Sequence, residues 1–227
     1  EKDCSEDQKK IDLCNSGFLC ANYLEMQKMF PLLKNENAAK EYYLTDIIKS
    51  YVTSGSSFGP IETLDVPYEE VLGVNDYVQL SLASKIMNNR ILTKHMLKGV
   101  NIIDANNTYI EDSVRIASDV TIYPNTHLRG DTHIAAGVVI ENGSIISDST
   151  IEAKAHIYAY SVIEQAYMGE GSHVGPFARL RPQAHLENYV KIGNFVKITG
   201  PCYIGDNTVI GDYTMIRESH IGNDCNI

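Results

Sequence analysis

The sequence predicts a mixed α/β piece over residues 1–99 followed by a parallel β-solenoid over residues 100–227. Three observations carry that prediction: a ladder of large aliphatic residues recurs every six positions through the second half, small turn-forming residues follow its rungs, and the first half shows neither feature. A helix repeats at about 3.6 residues and a strand at about 2, so a period of six marks a repeat architecture.

The rungs run Ile110, Ile116, Ile122, Leu128, Ile134, Ile140 and Ile146, slip by one residue to Ile151, and continue to Ile157 and Ile163. A second slip leads to Met168, after which Val174, Leu180, Leu186, Ile192, Ile198, Ile204, Ile210 and Ile216 follow, and a third leads to Ile221 and Ile227. If three short strands make one triangular coil, each side sends one bulky residue inward and the next coil stacks another on it at roughly 4.8 Å. One coil then takes eighteen residues. Gly, Asn and Asp follow the rungs in Ile192-Gly193-Asn194, Ile204-Gly205-Asp206 and Ile210-Gly211-Asp212, where the chain must turn a corner.

In the first half, the apolar stretches Ile11 to Leu13 and Gly17 to Ala21 read as strands flanking Asn15-Ser16. Residues 22–33 and 42–52 read as helices, the second starting near Thr45 or Asp46. The Ser/Gly-rich run Ser54 to Gly59 reads as a loop, with an extended piece through Leu64. Asp76 to Leu97 reads as a connector helix with Val78, Leu82, Ile86 and Met96 on one stripe and Gly99 as its stop. The boundary is set near Gly99.

A net charge of -10 over 227 residues excludes nucleic acid as a partner, because phosphate backbones require basic surface. No apolar run reaches the length of a membrane span, and no leader opens the chain, so a soluble protein is expected. The five cysteines, Cys4, Cys14, Cys20, Cys202 and Cys225, share no metal-ligand spacing and read as reduced thiols in a cytoplasm.

Three stretches resemble the bifunctional bacterial N-acetylglucosamine-1-phosphate uridyltransferase and glucosamine-1-phosphate acetyltransferase family. They are Cys14-Asn15-Ser16-Gly17; Glu41 to Asp46 (EYYLTD) with Gly73-Val74-Asn75-Asp76; and Gly175 to Pro182 (GPFARLRP) with Ile192-Gly193-Asn194-Phe195-Val196. The resemblance implies that the first piece is the C-terminal part of a Rossmann-like nucleotidyltransferase domain and that the solenoid is a left-handed β-helix. It implies Asn15, Tyr43 and Thr45 as sugar-phosphate contacts, Asn75 as a Mg2+ ligand, nucleotide and sugar 1-phosphate as ligands, acetyl-CoA as co-substrate, and a homotrimer. The family's phosphate loop and acidic metal partner precede the position matched by Glu1, so no uridyltransferase activity is expected of these residues alone.

Arg179, Arg181, Lys191 and Lys197 form a dense basic group in an otherwise acidic solenoid. Arg179 and Lys197 differ by eighteen and should stack on adjacent coils, where like charges repel unless an anion joins them. They read as a phosphate cradle or, alternatively, as a solvated edge that discourages sheet pairing. Arg181 matches the family arginine that holds the sugar phosphate. The family's next lysine falls on Thr199 and its catalytic histidine near Gly211, so no catalytic residue is identified, and from Gly200 onward the chain resembles the plain hexapeptide tails of other sugar nucleotidyltransferases. His127, His133, His156, His173, His185 and His220 read as surface-turn residues, and His95 as structural.

The leading expectation is a transferase of UDP-N-acetylglucosamine biosynthesis that retains sugar-phosphate binding at Arg179, Arg181 and Lys197. The alternatives are a non-catalytic trimerisation module and a sugar nucleotidyltransferase whose coils serve only assembly.

Overall fold

The aliphatic ladder closes into a three-sided prism. The computed structural model describes residues 6–7, 10–11, 13, 15–37, 39–53 and 61–227. The readings made on Cys4, Cys14 and Ser54 to Gly59 lie outside the described residues, as does Asp12 in the first expected strand. The chain forms two compact units, Glu1–Asn75 and Asp76–Ile227.

In the second unit, strands of two or three residues assemble into three seven-stranded parallel sheets, and every third strand in the chain belongs to the same sheet. The rungs stand in register: Ile122 beside Ile140 on the first sheet, Leu180 beside Ile198 on the second, and Leu186 beside Ile204 on the third. Ile122, Leu128, Ile140, Ile163, Leu180 and Ile198 are all fully buried. Removing one such side chain from water contributes about 1.5–3 kcal/mol, and stacking puts each against its equivalents in the coils on either side. Ile227, the last rung of the ladder, is 53% exposed.

The three slips share one edge. Ile146 to Ile151, Ile163 to Met168 and Ile216 to Ile221 all pass from the second sheet to the third, so a shortened corner absorbs the missing residue and no rung turns outward. At these corners Asp148, Gln165 and Glu218 adopt φ of 49°, 47° and 45°. A second buried row lies two residues before each rung, as the alternation of a strand requires. On the first sheet it comprises Val120, Val138, Ala155, Ser172, Val190 and Thr208, small enough to fit beside the corner. Its hydroxyls are satisfied locally: Ser172 donates to the Glu187 carbonyl at 2.8 Å and Thr208 to that of Gly222 at 2.8 Å.

Another edge, between the first and second sheets, carries a column of rings. Tyr160, Phe177, Phe195 and Tyr213 stack with centroids 5.3, 4.9 and 5.2 Å apart and planes within 7° of parallel. Each of the four has φ between 56° and 61°, the left-handed region that costs a non-glycine residue about 1–2 kcal/mol. Each stacked pair returns about 0.5–1.5 kcal/mol, which offsets much of that strain.

Helix α3 (Tyr77–Met96) belongs to this unit rather than to the first. Asp76 caps it, its carboxylate accepting from the Gln79 amide at 2.8 Å, and Gly99 with φ 91° lies just beyond its end. The helix forms where the spacing of Val78, Leu82, Ile86 and Met96 placed it, yet Val78 is 80% and Leu82 48% exposed, and the buried residues are Ile91, Leu92 and His95. Only the C-terminal end of the helix meets the first coils, where Ile91 and Leu92 join the core and Asn88 donates to the Thr108 carbonyl at 2.9 Å.

The first unit departs from expectation. It contains α1 (Tyr23–Met29), which continues as a 3-10 turn over Phe30–Leu32, and α2 (Asp46–Thr53). Asn22 caps α1 by accepting from the Leu24 amide at 2.9 Å. Among the described residues of this unit there is no strand, and only Met29 and Ile47 are buried hydrophobics. A strand is held by its ladder partner, and the stretch Gly17 to Ala21 has none among the described residues. The Rossmann-like nucleotidyltransferase piece is therefore not shown. Among the described residues no helix is long and apolar enough to cross a membrane.

Candidate functional site

Register brings the basic residues together in part. Strand Arg179–Leu180 pairs with strand Lys197–Thr199, placing Arg179 beside Lys197. Arg179 is already engaged: its Nη2 donates to Glu164 Oε2 at 2.9 Å, with the two side chains 48% and 35% exposed. A pair that open is worth under about 1 kcal/mol, so an incoming anion can compete for the guanidinium. Arg181, just past Leu180, is half-buried, and its backbone amide donates to the Ile198 carbonyl at 3.0 Å. Neither Arg181 nor Lys197 makes a side-chain hydrogen bond or ion pair among the described residues. Lys191 does not join the group, because it stands on the first sheet between His173 and Val209.

One residue escaped the sequence reading. Arg217 is the register partner of Thr199, on the coil beyond it. Its signal was the spacing of eighteen from Thr199, the position where a second cation was sought and missed. The second sheet thus presents Arg179, Arg181, Lys197 and Arg217 over three coils around Thr199, whose buried hydroxyl has no hydrogen-bond partner among the described residues. Guanidinium forks arranged this way suit the oxygens of a phosphate.

In the first unit, Asn15 and Thr45 line one cleft with Gly17, Leu44 and Ile48, and Tyr43 does not line it. The cleft holds about 20 Å3, room for one water and not for a sugar phosphate. Asn15 Oδ1 is taken by the Gly17 amide at 2.7 Å, an Asx turn. Asn75 is exposed. Among the described residues no group of three or more His, Cys, Asp or Glu side chains could hold a metal ion. A magnesium ion asks for near-octahedral oxygen ligands, usually including a carboxylate. One exposed amide does not meet that demand, so the residues present do not fit the implied Mg2+.

The histidines lie on strands, not in turns. His127, His133, His156, His173, His185 and His220 each precede an inward rung and point outward. Counting by coil rather than by six brings His156 beside His173, and His173 beside Lys191. His156 Nε2 meets Glu141 Oε1 at 2.9 Å, Tyr158 stacks on its ring at 4.1 Å, and Glu141 Oε2 also accepts from the Ala159 amide at 3.1 Å. Burial holds His173 below the ordinary imidazole range, with His156 and Lys191 adding to the effect. On the third sheet Tyr167, His185, Tyr203 and His220 form a second ring column, with centroids 4.5, 5.4 and 4.5 Å apart.

Three parallel sheets of very short strands around an aliphatic core, with one rung per side, define a parallel β-helix of hexapeptide repeats, the kind whose family match makes it left-handed. Comparison with known families agrees: the GMPPB C-terminal domain matches residues 104–198, and the bacterial transferase hexapeptide (six repeats) matches residues 183–218. The resemblance read from the residues is shown over the C-terminal half of the chain. The bifunctional protein GlmU of Clostridium botulinum is 45% identical over 123 residues, which are 54% of this chain and 26% of that protein. GlmU of Acetivibrio thermocellus is 42% identical over 125 residues, 55% of this chain and 27% of that one. The chain therefore spans about a quarter of the length of these curated relatives. A solved UDP-N-acetylglucosamine acyltransferase from Campylobacter jejuni aligns with a TM-score of 0.35 at 18% identity, over 56% of this chain and 66% of that one. That likeness is too slight to support any reading of activity.

Proposed function

We propose that the coil unit is the sugar-phosphate-binding part of a transferase of the acetyltransferase type, with glucosamine 1-phosphate as ligand. The phosphate sits against Arg181 and Lys197, with Arg179 released from Glu164 and Arg217 closing the far side. The observation that carries this reading is the register itself, which sets cations on successive coils of one sheet. The 45% identity of the coils to GlmU supports it. Acetyl-CoA is the proposed acyl donor, and a homotrimer in the cytoplasm the proposed working form. Acetyl transfer needs the amine of the sugar to attack a thioester while a base takes its proton. The position that the family resemblance gives to that base is Gly211, so binding without efficient turnover is the expected behaviour of these residues. Uridylyl transfer is not proposed for them, because the cleft at Asn15 and Thr45 is too small and the described residues hold no group of three or more His, Cys, Asp or Glu side chains that could bind a metal ion.

Calorimetry with glucosamine 1-phosphate tests the reading. Saturable binding is expected, weakened about tenfold or more by Arg181→Ala, as for loss of one charge-assisted hydrogen bond. No heat of binding, or binding indifferent to Arg181→Ala and Lys197→Ala, would remove it. A second reading, an assembly module without ligand, is favoured by Thr199 and Gly211 at two positions where the family has functional side chains. It predicts a defined oligomer by sedimentation and no such heat.

A further inference from the structure

Glu164 belongs to the basic site by register as well as by its ion pair. Ile163 and Leu180 are register partners, so Glu164 and Arg181, the residues that follow them, stand side by side on adjacent coils, roughly 4.8 Å apart. The carboxylate nevertheless reaches diagonally to Arg179, with Oε2 2.9 Å from Nη2. One of the four cations is thereby neutralised before a ligand arrives, while Arg181 and Lys197 keep no side-chain partner among the described residues. On its other side Glu164 has Ser147 as register partner, whose hydroxyl makes no hydrogen bond among the described residues.

We infer that Glu164 is a tethered competitor that decides which anions the basic site admits; the inference rests on the sugar-phosphate reading of that site. A carboxylate held on the same sheet acts on Arg179 at an effective concentration of about millimolar or more. A free carboxylate such as acetate brings the same single charge and the same two oxygens, so below that concentration Arg179 stays closed to it. A phosphate monoester brings up to two charges and three terminal oxygens. It reaches Arg181 and Lys197 while it competes for the Arg179 fork, and the summed contacts exceed what one carboxylate offers. When Arg179 turns to the phosphate, Glu164 retires toward Ser147, whose free hydroxyl donates to it. The pair therefore lowers affinity for every anion and lowers it most for those that cannot engage several cations at once.

Calorimetry of the full chain with glucosamine 1-phosphate, with and without acetate at constant ionic strength, tests this. Glu164→Gln should tighten glucosamine 1-phosphate binding about tenfold. Freeing Arg179 supplies under about fivefold of that, the worth of an exposed pair, and removal of a like charge one coil from the phosphate supplies the rest. Acetate should compete with the sugar phosphate in Glu164→Gln and not in the unaltered chain. Arg179→Ala should weaken binding about threefold or less in the unaltered chain but about tenfold in Glu164→Gln, a coupling that a purely structural role for Glu164 would not produce.

If the unaltered chain binds and Glu164→Gln binds no tighter, or if the effects of the two substitutions simply multiply, the inference is overturned and the sugar-phosphate reading stands. No heat of binding with either chain would remove that reading, and the competitor role with it.

Discussion

Truncating Leu180 to alanine tests the prism most directly, because Leu180 is fully buried and lies between Ile163 and Ile198 on the coils either side. Both neighbours are held in continuous sheets, so the space cannot close by a shift of one side chain. The loss should fall in the range of about 2–5 kcal/mol seen for leucine-to-alanine changes in rigid cores, and about 3 kcal/mol is expected. With a urea slope of about 2 kcal/mol per molar, the midpoint should drop by roughly 1.5 M. Val162, beside Arg179 on the outer surface of the same sheet, is the control. Val162→Ala should cost within about 0.5 kcal/mol. Urea unfolding followed by circular dichroism gives both numbers. A cost below about 1 kcal/mol for Leu180→Ala, or equal costs for the two substitutions, would refute the inward assignment of the rungs. Because Leu180 lies between Arg179 and Arg181, its truncation should also weaken glucosamine 1-phosphate binding.

Phe195 combines two stacked contacts with a φ of 58°, so Phe195→Gly should be less destabilising than Phe195→Ala by about 1 kcal/mol, the reverse of the usual order. Thermal melts of the two variants decide this, and the ordinary order would count against left-handed strain at that corner. Gly175, at φ 101°, packs against the Ser161 hydroxyl, which has no hydrogen-bond partner among the described residues. Gly175→Ala should therefore destabilise by about 2 kcal/mol, and adding Ser161→Ala should recover part of that loss. Burial is the first cause holding His95, His127 and His173 below 6.5 in the folded chain. The unfolded chain then binds protons first, so the stability these residues allow is full above pH 6.5 and falls as the pH drops through it. Denaturation midpoints between pH 7 and pH 5 should show that decline, and His173→Gln should flatten it. An unchanged slope would mean that His173 titrates normally.

The order of rungs, the pairing of Arg179 with Lys197 and the helical stretches near residues 23–29 and 46–53 were all readable from residues alone. Periodicity encodes the perimeter of a coil, and in a solenoid each coil touches chiefly its neighbours, so counting along the chain predicts contact in space. Folding settled what counting could not. The slip between Ile163 and Met168 had to fall on a corner before His156 and His173, seventeen apart, could be recognised as neighbours. Side-chain reach then chose partners: Glu164 took Arg179, and Glu141 took His156. The buried face of α3 also had to be found by packing, since its apolar residues lie all around it and only the first coils select Ile91 and Leu92. Local pattern fixes which residues face inward, because the alternation of a strand is a property of the backbone. Which outward residues meet depends on the summed length of every turn between them, and that sum exists only once the coils have stacked.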